Sequence, residues 1–237
     1  MDNVHTNVLE VSNLHAYYGD SHILHGINLS VAQGELVCLL GRNGSGRTTT
    51  LRAIMGLTGK RTGQIRFAGR STMSLAPHSV ARLGIGYCPE ERGIFASLST
   101  EENLLLPPVV AKDGLGLDEI YKLFPNLLER KNSPAGRLSG GEQQMLALAR
   151  ILRTGARTLL LDEITEGLAP VIVQALEAAV VQLKLRGFTI VMAEQNFNFA
   201  SKVADRHYVL DRGNIAMSVT STKLDSNRSL LDELLGV

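Results

Sequence analysis

Five apolar residues, Leu36 to Leu40, run directly into Gly41-Arg42-Asn43-Gly44-Ser45-Gly46-Arg47-Thr48, and Thr49 to Met55 then reads as a helix. Strand, glycine-rich turn and helix in that order commit a chain to an α/β layer whose turn opens at a sheet edge. The glycines let successive N–H groups point inward, and the helix start adds partial positive charge, so such a turn suits phosphate. The spacing G-x-x-x-x-G, then a basic residue, then a hydroxyl, puts the basic group on the β- and γ-phosphates and the hydroxyl on Mg²⁺. Thr48 supplies the hydroxyl. The basic residue is Arg47 where the pattern has Lys, and a guanidinium is broad, planar and permanently charged. It can pair with phosphate in a bidentate fashion, but from a different seat than an ammonium. Taken alone, the segment also admits a glycine-rich turn with no ligand.

Two further segments follow in a telling order. Thr158 to Leu161 is a fully apolar run, as expected of a parallel strand buried on both faces, and it ends in Asp162-Glu163. At the carboxyl edge of such a sheet, Asp162 is placed to hold Mg²⁺ and Glu163 to act as general base on water. A solvated acidic pair at a strand end is the bland alternative. Between the two motifs lies Leu138-Ser139-Gly140-Gly141-Glu142-Gln143-Gln144. Ser139 with Glu142 three residues on reads as a capping box, and Met145, Leu148, Ala149 and Leu152 form one apolar helical stripe. The glycines leave that helix start open to close approach by a phosphate.

This ordered set resembles the nucleotide-binding subunits of ATP-binding cassette (ABC) transporters, over about residues 8 to 237. The resemblance implies an α/β fold: a P-loop NTPase cassette with a RecA-like core, an antiparallel β subdomain and an inserted helical subdomain. The expected division is about 8–90 and 156–237 for core and β subdomain, and about 91–155 for the helical part carrying the signature. It implies ATP and Mg²⁺ as ligands, with Gly41 to Thr49 on the phosphates and Tyr18, just before Gly19, stacked on adenine. It also implies that Leu138 to Gln143 contacts the nucleotide of an opposite subunit, in a head-to-tail dimer. Glu166-Gly167-Leu168-Ala169 falls at the loop through which the two subunits communicate. Within the family the likeness is to ATPases of bacterial branched-chain amino acid importers. It is carried by Pro89 to Phe95, Leu98 to Leu104, Glu166 to Pro170 and Glu194-Gln195-Asn196. Related subunits serve amides, urea and other small solutes.

Three departures from the general pattern accompany Arg47. Glu90 stands where Gln is frequent, and as a carboxylate it is expected to add a ligand for Mg²⁺. Gln195 stands at the usual His switch position; it can donate to phosphate but cannot be protonated, and it also reads as a polar residue closing the strand Phe188 to Ala193. Ile164 replaces the Pro that usually follows the acidic pair. His207, before the apolar run Tyr208 to Leu210, reads as structural.

Composition narrows the partners. Lys plus Arg number 24 against 23 for Asp plus Glu, which argues against nucleic acid. There is no run of 18 apolar residues, and Met1-Asp2-Asn3-Val4-His5 lacks the basic-then-apolar layout of a leader, so the expected place is the cytoplasmic face of a membrane, held by separate permease subunits. A solute-binding protein is then an indirect partner, and the second ATPase subunit is a copy or a paralogue. Cys38 and Cys88 lie in apolar runs and read as reduced core thiols. Pro170 opens a helix that Gly187 closes, with Leu176, Ala179, Val180 and Leu183 inward. Phe95 and Leu98 are candidates either for a groove receiving a permease helix or for the core of the helical part. Two other readings stand beside transport: a non-transport cassette protein, and a low-turnover regulatory subunit.

Overall fold

The computed structural model describes residues 6–236. The stretch 1–5, where the leader pattern is missing, and residue 237, where the expected cassette ends, lie outside the described residues. Alternating apolar positions such as Ile27, Leu29 and Val31 produce two long strands, β1 (Asn7–Tyr18) and β2 (Ser21–Ala32). The run before the glycine-rich turn is β3 (Leu36–Gly41), buried throughout, and the helix behind it, α1 (Arg47–Met55), starts at Arg47 rather than Thr49. Next come β4 (Lys60–Phe67), β5 (Arg70–Ser71), α2 (Pro77–Ala81) and β6 (Ile85–Cys88). A helical stretch follows: α3 (Thr100–Leu105), α4 (Leu117–Leu123), α5 (Pro125–Glu129) and α6 (Gly140–Arg153). The last third alternates, with β7 (Thr158–Asp162), α7 (Pro170–Leu185), β8 (Thr189–Glu194), α8 (Phe197–Val203), β9 (Arg206–Asp211), β10 (Asn214–Thr220) and α9 (Arg228–Leu235).

The strands form two sheets. One is antiparallel, in the order β2-β1-β4-β5; the other has the order β10-β9-β3-β8-β7-β6 and is parallel apart from its edge strand β10. Every residue of β3, β7 and β8 is buried, which is why these strands read as continuous apolar runs. Their register pairs Leu40 with Glu194 and Asp162 with Ala193, so the carboxyl ends of β3, β8 and β7 finish level. Cys88 pairs with Leu161 and brings the end of β6 to the same edge. The crevice outside that edge is where α/β sheets take ligands.

Helix burial follows the sequence in one case and exceeds it in another. On α7 the buried residues are Leu176, Ala179, Val180 and Leu183, the face the periodicity predicts, and Pro170 occupies its first turn. On α6 the expected stripe is buried, but so are Gln144, Leu146 and Ala147. The helix is covered on a second side because it packs between α3 and β6. Cys38 and Cys88 are free and buried, and burial pushes both thiols up, Cys88 to about 12, so they pack without reacting.

His207 on β9 is fully buried, and neither ring nitrogen has a hydrogen-bond partner. Burial pushes it down to about 4, so it is neutral in the folded chain and structural in role. Unfolded, it titrates near 6.5, so between the two values the unfolded chain binds more protons. The stabilisation from keeping this ring neutral is therefore complete above the unfolded value and is lost as pH falls. In urea melts, the loss of stability from about pH 7 to about pH 5 is expected to be smaller by about 2 kcal/mol in His207→Leu than in the parent.

Candidate functional site

The turn between β3 and α1 is shaped by what its glycines leave out. A β-carbon at Gly41 would lie 2.4 Å from the Leu210 carbonyl oxygen and 2.5 Å from Ser45 Oγ. At Gly46, with φ 106°, it would lie 2.7 Å from Leu24 Cδ2. The loop is thus pressed against both sheets, and Gly213, in the β9–β10 turn, donates its N–H to the Ser45 carbonyl (2.9 Å). The start of α1 has no side-chain cap and no acid in its first turn, which leaves its N–H groups and partial positive charge free. Ser45 Oγ is buried without a partner. In front of the loop is a cavity of about 420 Å³, lined among others by Tyr18, Asn43 to Thr49, Glu90, Glu163 and Glu166. Tyr18 is 40% exposed at its rim. Orphaned donors, an uncapped helix start and an open aromatic face suit a nucleotide polyphosphate.

The acidic edge meets this loop. Thr48 Oγ1 donates to Asp162 Oδ1 (2.9 Å) and the Tyr87 hydroxyl to Asp162 Oδ2 (2.8 Å). Burial raises the Asp162 carboxyl, and these two hydrogen bonds pull it back toward the charged form. A threonine hydroxyl beside a carboxylate is an oxygen pair of the kind Mg²⁺ takes. Glu163 holds a left-handed backbone, φ 48°, with its N–H on the Ala193 carbonyl (2.8 Å). Ligand atoms of Glu90, Glu163 and Glu166 all lie within 4.8 Å of one another. Burial and the neighbouring Glu166 push Glu163 up to about 7 against the pull of Arg47, and burial with its acidic neighbours also raises Glu90.

Arg47 is turned under the loop. Its guanidinium donates to Glu163 Oε1 (2.7 Å), the Glu194 carbonyl (3.0 Å), Asn43 Oδ1 (3.2 Å) and the Gly41 carbonyl. The sequence leads one to expect this charge on phosphate; here it is buried and paired with the acid that ends the β7 motif.

A family model described as ABC transporter matches residues 24–166, more than half of the chain. The chain belongs to the ABC transporter ATP-binding family. It is 40% identical over 232 residues to the high-affinity branched-chain amino acid transport ATP-binding protein BraG of Pseudomonas aeruginosa, covering 97% of this chain and 100% of that protein. It is 36% identical to the probable branched-chain amino acid transport ATP-binding protein LivF of Archaeoglobus fulgidus, covering 92% and 94%. The lipopolysaccharide export ATP-binding protein LptB of Haemophilus influenzae is 30% identical over 97% and 98% of the two chains. Among solved structures, the ATP-binding subunit of an ABC transporter superimposes with a TM-score of 0.79 at 28% identity, covering 97% and 100%. The chain is an ATP-binding, ATP-hydrolysing cassette.

Within the cassette, not every expected site residue faces the cavity. Gly41 lies beneath the loop, and Arg42 reaches away to donate to the Glu233 carbonyl of α9 (3.0 Å). Gln195, exposed just after β8, borders a neighbouring hollow with Glu163, Glu166 and Glu194. Leu138 to Gln143 are absent from the lining. There the capping box forms as the sequence predicts: Ser139 Oγ accepts from the Glu142 N–H (3.3 Å), and Glu142 Oε2 accepts from the Ser139 N–H (2.8 Å). A β-carbon at Gly141 would lie 2.7 Å from Ile172 Cγ2, so glycine lets the start of α6 pack closely on the Ile172 side chain.

Arg92 ties the segment after β6 to the signature helix, donating to Gln143 Oε1 (3.0 Å) and Gln144 Oε1 (3.3 Å). Beside it, a groove of about 350 Å³ runs between α6 and β6, with Met55, Tyr87, Pro107, Pro108, Arg150 and Ile151 in its walls. Phe95 is 47% exposed under the Arg150 guanidinium, whose carbon is 5.0 Å from the ring centre, so it is a surface side chain; Leu98 is half-buried. Among the described residues no helix is long and apolar enough to cross a membrane.

Tyr87 escapes the sequence, whereas Glu166 is expected there only at the loop between subunits and Glu194 only as part of the sub-family likeness. Tyr87 acts through its strand position, which aims its hydroxyl at Asp162. Glu166 joins the acidic cluster, and Glu194 is a buried acid taking the Thr165 hydroxyl (2.8 Å) and pushed up to about 7 by burial. Tyr87→Phe strips one partner from a buried carboxylate; unfolding free energy in urea is expected to drop by about 1–3 kcal/mol.

Proposed function

We propose that this cassette powers uptake of branched-chain amino acids, or of a related small amide or amino acid, by hydrolysing MgATP between two ATPase subunits docked on membrane permeases at the cytoplasmic face. The observation that carries the reading is the convergence of Thr48, Asp162 and Glu163 on the phosphate loop, in a chain 40% identical to BraG along its whole length. Gly41 to Thr49 hold the phosphates, Tyr18 stacks on adenine, and Thr48, Asp162 and Glu90 hold Mg²⁺. The bound nucleotide supplies the scissile γ-phosphate, and its metal neutralises the charge that develops there. Glu163 takes the proton of the attacking water, and a carboxyl raised to about 7 is well matched to that task. Gln195 and Glu90 orient the water. Because the signature residues lie outside the chain's own cavity, they serve a second subunit's nucleotide, in a head-to-tail pair with a copy or a paralogue.

A second reading, a slow half-site beside a more active paralogue, is favoured by one contact. Arg47 pairs with Glu163, so the base is occupied until a phosphate draws the guanidinium away. Steady-state ATP hydrolysis separates the two readings. Glu163→Gln is expected to reduce turnover by about 10²-fold or more while fluorescent ATP still binds. Arg47→Lys, whose compact charge releases the base, is expected to raise turnover by about tenfold; an unchanged or lower rate would remove the slow half-site reading. For the solute, a strain lacking this chain is expected to lose uptake of labelled leucine, isoleucine and valine while lipopolysaccharide export is unaffected.

The permease helix in this reading docks at the groove beside α6, and Phe95, exposed next to the groove-lining Arg150, is an apolar contact at its rim. Phe95→Ala is expected to abolish uptake in reconstituted vesicles and to leave basal hydrolysis of the isolated subunit within about twofold.

A further inference from the structure

Away from the phosphate loop, the hairpin of β1 and β2 gathers three histidines. His15 lies on β1, its cross-strand partner is His25, and His22 stands between them near the turn. The His15 and His22 ring centres are 5.1 Å apart, and those of His22 and His25 are 4.1 Å apart. His15 Nδ1 lies 3.0 Å from His22 Nε2. His15 and His25 lie opposite the core side taken by Leu14, Ala16 and Leu24, and a register shift between Ala16 and Tyr17 brings exposed His22, paired with Tyr17, to the same outer side.

We propose that these histidines form a surface site for an imidazole-seeking divalent transition metal, of which Zn²⁺ is the representative. Imidazole nitrogens favour zinc, nickel and copper over Mg²⁺. Bonds of 2.0–2.1 Å in tetrahedral geometry set ligand nitrogens about 3.3 Å apart, so the His15–His22 pair needs to open by only about 0.3 Å. The tautomer is prepared as well. Asn13 Oδ1 lies 3.2 Å from His15 Nε2, which makes Nε2 the protonated nitrogen and leaves the lone pair on Nδ1, facing His22. The metal takes the place of the hydrogen that the two rings now share.

Local backbone serves the same cluster. Asn13 holds a left-handed conformation, φ 48°, and its N–H is anchored on Asn28 Oδ1 (2.9 Å). A β-carbon at Gly26 would come within 3.0 Å of Asn13 Oδ1, so a glycine there keeps the amide's seat open. His22 is stacked on Tyr17, 4.3 Å between centres. His25 is tied by its N–H to the Gly213 carbonyl (2.8 Å) and its exposed ring supplies a third nitrogen by side-chain rotation, with water completing the tetrahedron. The metal would staple β1 to β2 across the turn that carries Tyr18.

The test is calorimetric titration of Zn²⁺ into the full-length, nucleotide-free chain, with excess Mg²⁺ present to occupy oxygen-donor sites such as the Glu90–Glu163–Glu166 cluster. One Zn²⁺ per chain is expected, with binding lost in His15→Ala/His22→Ala and weakened by about tenfold or more in Asn13→Ala. These side chains lie outside the core, and matching thermal melts of the metal-free variants check that the fold is intact. Long-range ¹H–¹⁵N spectra are expected to show the metal on His15 Nδ1 with Nε2 still protonated. Zinc affinity unchanged in the double variant, or no zinc bound by the parent, overturns the proposal.

Discussion

Everything at the phosphate end depends on β3, β8 and β7 finishing level. Two parallel ladders enforce this, pairing Leu40 with Glu194 and Asp162 with Ala193. Because β8 lies between them, β3 and β7 do not touch, and the gap outside their ends is bridged from above: Thr48, on the first turn of α1, reaches Asp162 at 2.9 Å. A one-residue slip of either ladder would move every side chain to the opposite face and carry this contact with it. The slip is blocked because both faces of all three strands are buried against large apolar clusters. Core packing and placement of the acidic pair are therefore one constraint.

The same geometry creates an electrostatic problem, and Arg47 answers it. Glu90, Asp162, Glu163, Glu166 and Glu194 crowd one crevice, and burial raises the carboxyls of Asp162, Glu163 and Glu194. Arg47 is buried among them and spreads its donors over a carboxylate, an amide and two backbone carbonyls. A buried ion pair is weak evidence of stability, because desolvation offsets most of the Coulomb gain, but removing one partner leaves a charge stranded. The pair is better understood as holding a state: it satisfies the crevice without a ligand and occupies Glu163, the base of the proposed reaction. A rigid, planar fork suits four acceptors at once, which an ammonium does less well.

Much of this was legible in the sequence because it is local. Each of the three motifs, the apolar strands, the capping box at Ser139 and Glu142, and the inner face of α7 depends on residues close to one another in the chain. What escaped is non-local. The breadth of burial on α6 depends on α3 and β6 enclosing it, the Tyr87–Asp162 bond on two parallel strands, and the seat of Arg47 on Glu194 and Glu163, far along the chain. Phe95 was ambiguous because an exposed anchor and a core side chain have the same composition; only the fold shows it under Arg150 at the surface.

The antiparallel sheet is not an appendage to this arrangement. Gly213 links the two halves of the molecule: its carbonyl accepts from His25 on the hairpin, and its N–H donates to Ser45 in the phosphate loop. A β-carbon there would lie 2.0 Å from the Ile23 carbonyl oxygen and 2.7 Å from His25 Cδ2, so the turn can approach this closely only as glycine. Gly46 is pressed from the other side by Leu24 of the same hairpin. The hydrogen bonds from His25 to Gly213 and from Gly213 to Ser45 run in series between hairpin and loop. The hairpin that ends in Tyr18 and the phosphate loop are therefore joined through Gly213 and through the contact of Gly46 with Leu24.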